Sequence, residues 1–315
     1  MDSIQNLAAG NSTLLSQYVK TVYDRPGLFV AGEIAPNISR AGLLLGHYQA
    51  MKEIKPENDL LAENMEPNVV DINRNHFIKF MVDDHELKAK VSHQYIDALS
   101  EAGYSENQIQ LSVIDYLVGM LKANREIRTI NTITAAGSYA AAHKDTNSKT
   151  WNVAASNTCY ADLDTAINTL AAANVSPDQV YIVASPAVWS AVKSALLAKF
   201  TGTPISAITP EMCAQIFGAH AIVEGFAYNG SNILGDKVAL VCRPQTVTDS
   251  DLCSWRTCNA GVSGAPEPFA AVYPFEKNHR AGYDVHVAHD YTIVGTGFDK
   301  SEKQQLGFLF TDVLS

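Results

Sequence analysis

One stretch of the sequence determines the fold. It is SENQIQLSVIDYLVGMLKANREIRTINTI, residues 105–133. Ser105 and Gln108 have the Ser-x-x-Gln spacing of a helix capping box. Apolar residues then recur at spacings of 4, 3, 4, 3, 4 and 3, and Leu117 and Leu121 widen the stripe; its members are Ile109, Val113, Tyr116, Met120, Ala123, Ile127 and Ile130. This pattern predicts one amphipathic helix, about 40 Å long at ~1.5 Å per residue. A coiled coil is the alternative, but about three heptads without patterned flanking charges favour packing on a sheet.

Upstream of the helix, two strand-like segments enclose an acidic stretch. Segments 43–54 and 69–82 are rich in β-branched and aromatic residues, which predicts a long hairpin whose tip is 55–68. The stretch KEIKPENDLLAENMEP, residues 52–67, carries five acids, two lysines and few large apolar side chains. Ordering each residue costs about 1–2 kcal/mol of backbone entropy. So few apolar groups cannot offset that cost within one domain, so the stretch is either mobile or held by something outside this subunit.

The chain before the hairpin has the composition of an arm. We expect residues 1 to about 30 to be weakly structured. They contain one predicted short helix, 12–23, which is ended by Arg25-Pro26-Gly27.

Downstream of the helix the pattern of apolar and polar residues changes twice. AAGSYAAAHKDTNSKT, 135–150, predicts a linker, and 158–263 alternates helices and strands like a self-contained α/β module. The tail returns to strand character in AVYPF, YDVHVAHDYTIVG and LGFLFTDVL. We expect these closing strands to pack under the long helix, with the module inserted between them.

Composition excludes several classes of protein. Hydrophobic residues make up 47% and charged residues 18%, which is ordinary for a globular protein with a real core. A net charge of −10, from 33 acids and 23 bases, argues against tight nucleic-acid binding, which needs many basic contacts to phosphate. The sequence has no secretory signal and no apolar run of membrane-spanning length. Five cysteines without such a signal predict reduced, structural thiols.

Candidate catalytic and metal-binding residues are few. Asp83, Asp84, His85 and Glu86 cluster where a strand ends, a usual place for solvated charge. The His-x-x-His spacing of His286 and His289 puts the two rings on opposite faces of a strand, so they cannot chelate one ion. No phosphate-binding loop, dinucleotide fingerprint or hydrolase motif is present. The sequence therefore predicts no catalytic residue, no metal site and no cofactor.

Several stretches carry a family resemblance. FMVDDHELKAKV, 80–91, is similar to the return of an extended loop before a spine helix. TWNVAASNTCYADLDTAINTLAAANVSPDQVYIVASPAVWSAVKSALL, 150–197, and ITPEMCAQIFGAHAIVEGFAYN, 208–229, are similar to an axial domain. VHVAHDYTIVGTGFDKSEKQQLGFLFTDVL, 285–314, is similar to strands that close a peripheral domain. Together, and in this order, they resemble the major capsid proteins of tailed bacteriophages, the Hong Kong 97-like family.

The resemblance implies an α+β fold with four parts. They are an N-terminal arm (1–34), an extended β-hairpin loop (35–84), a discontinuous peripheral domain with the spine helix (85–157 and 264–315), and an inserted α/β axial domain (158–263).

It also implies a structural role rather than an enzyme: a shell protein that self-assembles through hexamers and pentamers around double-stranded DNA. The acidic total suits a wall on which DNA slides, with only weak non-specific contact. The expected location is the virion, after assembly in the bacterial cytoplasm and without a membrane. Because no charged helical leader is present, a separate scaffolding protein is expected, with a portal and a decoration protein as further partners.

The residues implied as inter-subunit contacts lie in the loop and in the arm. Those of the loop are Lys52, Glu53, Lys55, Glu57, Asp59, Leu60, Leu61, Glu63 and Glu66. Those of the arm are Leu14, Leu15, Tyr18, Tyr23 and Arg25. Some family members crosslink a loop lysine to an asparagine of a neighbour, and Lys52 and Lys55 lie in that region, although the sequence identifies no partner asparagine.

Two alternatives stay open at this point. One is an encapsulin-type compartment, which shares the fold but encloses enzymes. The other is a cytosolic α/β enzyme with its site in the 158–263 module, which predicts a small discrete oligomer.

Overall fold

A computed structural model describes residues 12–23, 27–39, 45–49, 77–199, 208–243, 253–259, 268–277, 280–297 and 302–314. In these ranges the helices are α1 (Ser12–Tyr23), α2 (Ala31–Ile34), α3 (His93–Glu101), α4 (Glu106–Ile133), α5 (Cys159–Ala172), α6 (Pro186–Lys199) and α7 (Pro210–Gln215). The strands are β1 (Asn37–Ser39), β2 (Leu45–Gln49), β3 (Phe77–Met81), β4 (Glu86–Ser92), β5 (Lys144–Asp145), β6 (Val180–Ala184), β7 (His220–Val223), β8 (Ala227–Tyr228), β9 (Ser231–Asn232), β10 (Val238–Cys242), β11 (Trp255–Asn259), β12 (Phe269–Lys277), β13 (Arg280–Ala288), β14 (Tyr291–Gly295) and β15 (Gly307–Phe310).

The predicted spine helix is α4, 28 residues long. Its capping box is present as predicted: the hydroxyl of Ser105 accepts from the backbone N–H of Gln108 at 3.3 Å, and the Gln108 side chain accepts from the Ser105 N–H at 2.8 Å. The buried face differs from the predicted stripe, however. Tyr116 and Met120 are 69% and 40% exposed. The buried face includes Ile109, Leu117 and Leu121 of the predicted stripe together with Ile114 and Val118. It continues through Arg125 and Glu126, whose side chains are hydrogen bonded within the subunit.

A three-stranded antiparallel sheet, in the order β12-β13-β4, packs on α4. Its inward side chains, among them Val272, Val285 and Val287, share one apolar core with the buried face of α4. The prediction that the tail strands pack under the helix is confirmed for β12 and β13. On the far side of β12 lies α1, where the hydroxyl of Ser16 accepts from the N–H of Ala270 at 3.3 Å. The arm helix therefore covers that edge of the sheet.

The α/β module is built on a five-stranded sheet in the order β5-β15-β10-β6-β7. This order corrects the sequence analysis, which placed LGFLFTDVL in the peripheral domain and 135–150 in a linker. Strand β15 instead pairs antiparallel with β10, and β5 pairs parallel with β15. The reason is that all four residues of β15 are buried. Phe308 and Phe310 face one core and Leu309 faces another, so this strand needs a sheet that is covered on both sides.

A second three-stranded sheet, in the order β1-β11-β14, lies between these units. Strand β11, which the sequence placed in the module, pairs parallel with β1 and antiparallel with β14. We call these three strands the platform sheet.

The base of the predicted hairpin is present as β2 and β3, paired antiparallel from Leu45–Met81 to Gln49–Phe77. The tip, 55–68, lies outside the described residues. A smaller hairpin joins β8 and β9 through the Asn229-Gly230 turn, where φ is 50° and 79°. Positive φ at both positions is the signature of a type I′ turn.

All five cysteines are buried thiols, as predicted. Burial raises the pKa of the Cys242 thiol to about 12. Within the described ranges, no helix has the length and apolar character needed to span a bilayer.

Candidate functional site at the base of the extended loop

Both limbs of the extended hairpin are anchored on the platform sheet. The chain enters the hairpin through β1, which pairs with β11. It returns through β3, where Phe80 and Val82 pack on Cys258 of β11 and Val294 of β14 in a small apolar cluster. After Val82, the N–H of Tyr291 donates to the carbonyl oxygen of Asp83 at 3.1 Å. The direction in which the loop leaves the body is therefore set by this sheet.

Arg125, on the buried face of α4, reaches the platform sheet from below. It is 5% exposed. Its Nη2 donates to Oδ1 of Asn37 at 2.8 Å, to Oγ1 of Thr257 at 3.1 Å and to the carbonyl oxygen of Ala35 at 3.5 Å. Its Nη1 donates to the hydroxyl of Tyr23 at 3.5 Å. All of these acceptors are uncharged oxygens, so the contacts fix geometry without forming an ion pair.

The third platform strand is tied by the next turn of α4. Nη1 of Arg128 donates to the hydroxyl of Tyr291 on β14 at 2.9 Å. Residues three apart lie on the same side of a helix, so one helical turn contacts β1 and β11 through Arg125 and β14 through Arg128. Burial raises the pKa of Tyr291, and the Arg128 hydrogen bond opposes that shift.

Residues 27–36 form a strap between the arm helix and β1, and Glu126 holds it. The fully buried carboxylate of Glu126 accepts from the backbone N–H groups of Val30 and Ala31 at 3.0 and 2.7 Å. Burial raises the pKa of Glu126, the negative charge of Glu224 raises it further, and the two backbone hydrogen bonds oppose the shift.

The α/β module contacts the other side of the strap. The Phe29 and Phe226 rings lie 5.1 Å apart, and Nη1 of Arg243 donates to the carbonyl oxygen of Glu33 at 3.0 Å. A methyl group on Gly225 would meet the carbonyl oxygen of Leu28 at 3.0 Å, so glycine is needed for this close approach. The strap therefore touches both the spine helix and the module.

The structure places the predicted arm residues mostly against their own chain. Leu15 and Tyr23 are buried in the core that α1 shares with α4 and the sheet, and the hydroxyl of Tyr18 donates to Oδ1 of Asp115 at 2.9 Å. While α1 stays docked, the side chains of Leu15 and Tyr23 are taken up within the subunit. The side chain of Leu14 and all of Arg25 lie outside the described residues, as do all nine predicted loop residues, Lys52, Glu53, Lys55, Glu57, Asp59, Leu60, Leu61, Glu63 and Glu66.

A groove of about 350 Å³ lies between β4, α3 and α4. Its lining includes Val91, Val113 and two tyrosines, Tyr95 and Tyr116, that are 53% and 69% exposed. In the described part of the chain, no strand pairs with the adjacent outer edge of β4. The groove is accessible in the isolated subunit, and its lining is partly apolar, with Lys90 and Ser112 as polar members.

The residues weighed for chemistry do not assemble into a reactive site. Asp83 and Asp84 are exposed, and His286 contacts Glu86 on the outer face of the sheet. His289 is buried and hydrogen bonded to Tyr23, on the opposite face from His286. Across the described ranges, no group of three metal-ligating side chains comes together.

This chain is similar to known proteins in structure and not in sequence. No protein-family model and no curated protein matches the sequence. A solved phage-related protein from Bordetella bronchiseptica RB50 matches with a TM-score of 0.69 and 14% identity, over 95% of this chain and 96% of that one. The chain has the Hong Kong 97-like fold. The capsid protein of cyanophage P-SCSP1u also matches, with a TM-score of 0.53 and 10% identity over 90% of this chain and 87% of that one.

A third solved structure that matches is the holo-SrpI encapsulin complex from Synechococcus elongatus PCC 7942. The TM-score is 0.51 and the identity 11%, over 89% of this chain and 88% of that one. The predicted α+β fold class is confirmed.

Sequence reasoning missed the polar residues that organise the base of the loop. Arg125 and Glu126 lie within the spine helix and were given no role. The available signal was their position, because they lie next to the apolar stripe rather than opposite it.

Proposed function

We propose that this chain is the major capsid protein of a tailed phage and assembles into an icosahedral shell around double-stranded DNA. The observation that carries the proposal is the extent of the fold likeness, which takes in 95% of the chain in one case and 90% in a phage capsid. The parts held in common therefore include the hairpin base, the spine helix and the module together. The role is structural, and no catalytic step is assigned to any residue.

Copies of the chain contact one another through the extended loop. The acidic stretch 52–67 has too few apolar side chains to order itself, and a neighbouring subunit supplies the missing contacts. The groove beside β4, with its exposed Tyr95 and Tyr116, offers apolar surface for such a contact. In the arm, the exposed residues of α1 are available to a neighbour, whereas Leu15 and Tyr23 serve their own subunit.

The remaining partners follow from the role. Shell assembly calls for a separate scaffolding protein and a portal, and a decoration protein can bind the finished shell. The net charge of −10 keeps contact with packaged DNA weak. The protein acts in the virion after assembly in the host cytoplasm. We also propose the division into arm, loop, peripheral and axial domains, with β5 and β15 joined to the axial sheet.

Negative-stain microscopy of the purified, expressed protein tests the proposal. Closed shells of uniform size are expected from the wild type when the scaffolding protein is supplied. Replacing residues 53–66 by a short Gly-Ser linker is expected to abolish the shells and to leave the thermal unfolding of the subunit unchanged. A wild-type protein that stays monomeric with or without scaffolding protein contradicts the role, and a small discrete oligomer favours the enzyme alternative.

The second candidate is an encapsulin-type compartment, which the likeness to the Synechococcus encapsulin complex favours. The contents of the particles separate the two functions. Nuclease-resistant DNA of genome length supports the capsid, whereas small particles that retain a specific enzyme and no DNA support the compartment.

A further inference from the structure

One rung of the platform sheet is clamped by a single side chain. Asn37 of β1 and Thr257 of β11 lie directly opposite each other at the start of the parallel ladder. Nη2 of Arg125 donates to both side chains, at 2.8 and 3.1 Å. The guanidinium therefore joins the strand that enters the extended loop to the strand that supports it.

Strand β1 needs this support because it is short. It has three residues and pairs only with β11 in the described part of the chain. Three parallel pairs contribute little stability alone, since parallel pairing is slightly weaker per residue than antiparallel pairing. The next described residues along the chain belong to the loop itself, at β2. Since β3 also packs on the platform sheet, a displacement of β1 relative to β11 would change the position of one limb of the hairpin base relative to the other.

The chemistry of Arg125 suits positioning more than stabilisation. Burying a charge costs free energy that hydrogen bonds to neutral oxygens offset only in part, and the acceptors described above are all neutral oxygens. A guanidinium, however, presents its N–H groups in a rigid planar fork, so each partner is held in a defined direction. The same group also contacts Tyr23 of α1 and Ala35 of the strap. One side chain thus fixes the path from arm to loop relative to the spine helix.

We infer that Arg125 is a positioning residue that sets the angle at which the extended loop leaves the subunit, and thereby the geometry of contact between neighbours. The second clause rests on the proposed shell function. The first concerns the subunit alone and is tested on it.

The test weakens the hydrogen bonds of Arg125 in two ways, by removing one acceptor and by replacing the donor. Asn37→Ala deletes one acceptor at an exposed residue, so we expect the fold to be retained. Arg125→Lys replaces the fork by a single ammonium. We call these two substitutions the clamp variants. Asn131→Ala is the matched control, because Asn131 is an exposed residue of the same helix and none of the contacts described above involves its side chain.

Spin labels at Gln49→Cys in β2 and Tyr116→Cys in α4 report the angle of the loop in the unassembled subunit. The native cysteines are buried and do not compete for label. The distance distribution is expected to shift or broaden in Asn37→Ala and Arg125→Lys and to match the wild type in Asn131→Ala. Distributions that are unchanged in both clamp variants overturn the inference.

The shells made by the same variants, without labels, are then compared by microscopy. The clamp variants are expected to give fewer shells with mixed diameters, while Asn131→Ala gives the wild-type diameter. Shells of wild-type yield and diameter from clamp variants whose distances have changed overturn the link to neighbour geometry. If the wild type itself forms no shells, the proposed function fails, whereas the distance measurement still decides the role of Arg125.

Discussion

The hydroxyl of Tyr23 lies 3.0 Å from Nδ1 of His289, and this contact joins the end of the arm helix to the turn between β13 and β14. His289 is 2% exposed. Burial lowers its pKa to about 3, and the positive charges of Arg125 and His85 act in the same direction. The imidazole is therefore neutral in the folded subunit throughout the physiological range.

This contact predicts destabilisation by acid. Below the ordinary value of 6.5, the unfolded chain binds a proton that the folded chain refuses until the pH approaches 3. Between pH 6 and 4 the free energy of unfolding should therefore fall by roughly 1.4 kcal/mol per pH unit more in the wild type than in His289→Asn. Urea titrations of both proteins at several pH values measure the two slopes. Parallel slopes would show that His289 does not carry the effect.

Glu126, which holds the strap, should affect the free energy of unfolding in the opposite direction, with more stability at low pH than at high pH. Burial raises the pKa of Glu126, so its contribution to stability is fully present below its ordinary value of 4.5 and is lost as the pH rises through the raised value. Glu126→Gln also loses one acceptor, at a cost of about 1–3 kcal/mol. The wild type should exceed the variant in stability by more at pH 4 than at pH 8. The exposed Glu101→Gln is the control and should track the wild type at both pH values.

The capping box at the start of the spine helix should be measurable alone. Ser105→Ala removes the acceptor of the Gln108 N–H and should lower the free energy of unfolding by about 1 kcal/mol. Ser100→Ala, at an exposed position of α3, should leave it unchanged or slightly higher. Equal stability of the two variants in thermal unfolding would argue against the cap.

The space around Gly297 is too small for a larger side chain, so substitution there should destabilise the fold. A methyl group there would collide with Oε1 of Gln304 and the side chain of Leu306, both of which are buried. Gly297→Ala should cost about 1–3 kcal/mol, as overpacking of a core does. Gly119→Ala, on α4 with open space around it, should instead gain about 1 kcal/mol from helix propensity. Denaturant titration compares the two, and a tolerated Gly297→Ala would mean that the β14–β15 connection yields easily.

The spine helix shows what periodicity can and cannot predict. Its length and N-cap are local properties of the sequence, and both were predicted. The buried face was predicted in part: Ile109, Leu117, Leu121 and Ile130 are buried as expected, but counting apolar letters also places Tyr116 and Met120 inside and leaves Arg125 out. Arg125 enters the core only because acceptors from Asn37 and Thr257, 88 and 132 residues away, come to meet it. No local pattern encodes such partners.

The last strand illustrates a different limit. The sequence predicted β15 as a strand but assigned it to the wrong sheet, since proximity along the chain favoured the preceding tail strands. Its pairing with β10, in which Phe310 lies opposite Val238, spans the whole intervening tail. The run Gly307–Phe310 did carry a usable signal, because a strand that is apolar at consecutive positions needs cover on both faces.

Because α1 lies along β12, the two edges of the peripheral sheet differ. Ser16 occupies a main-chain donor on one margin of the peripheral sheet, while the opposite margin, at β4, stays open in the described ranges. A strand arriving from another molecule therefore meets a strand edge at β4 that no described strand occupies, whereas at Ala270 of β12 the main-chain donor is already occupied. If that strand comes from a different segment of a second copy, the contact is heterologous, and its repetition gives a ring where the rotation closes and an open filament where it does not.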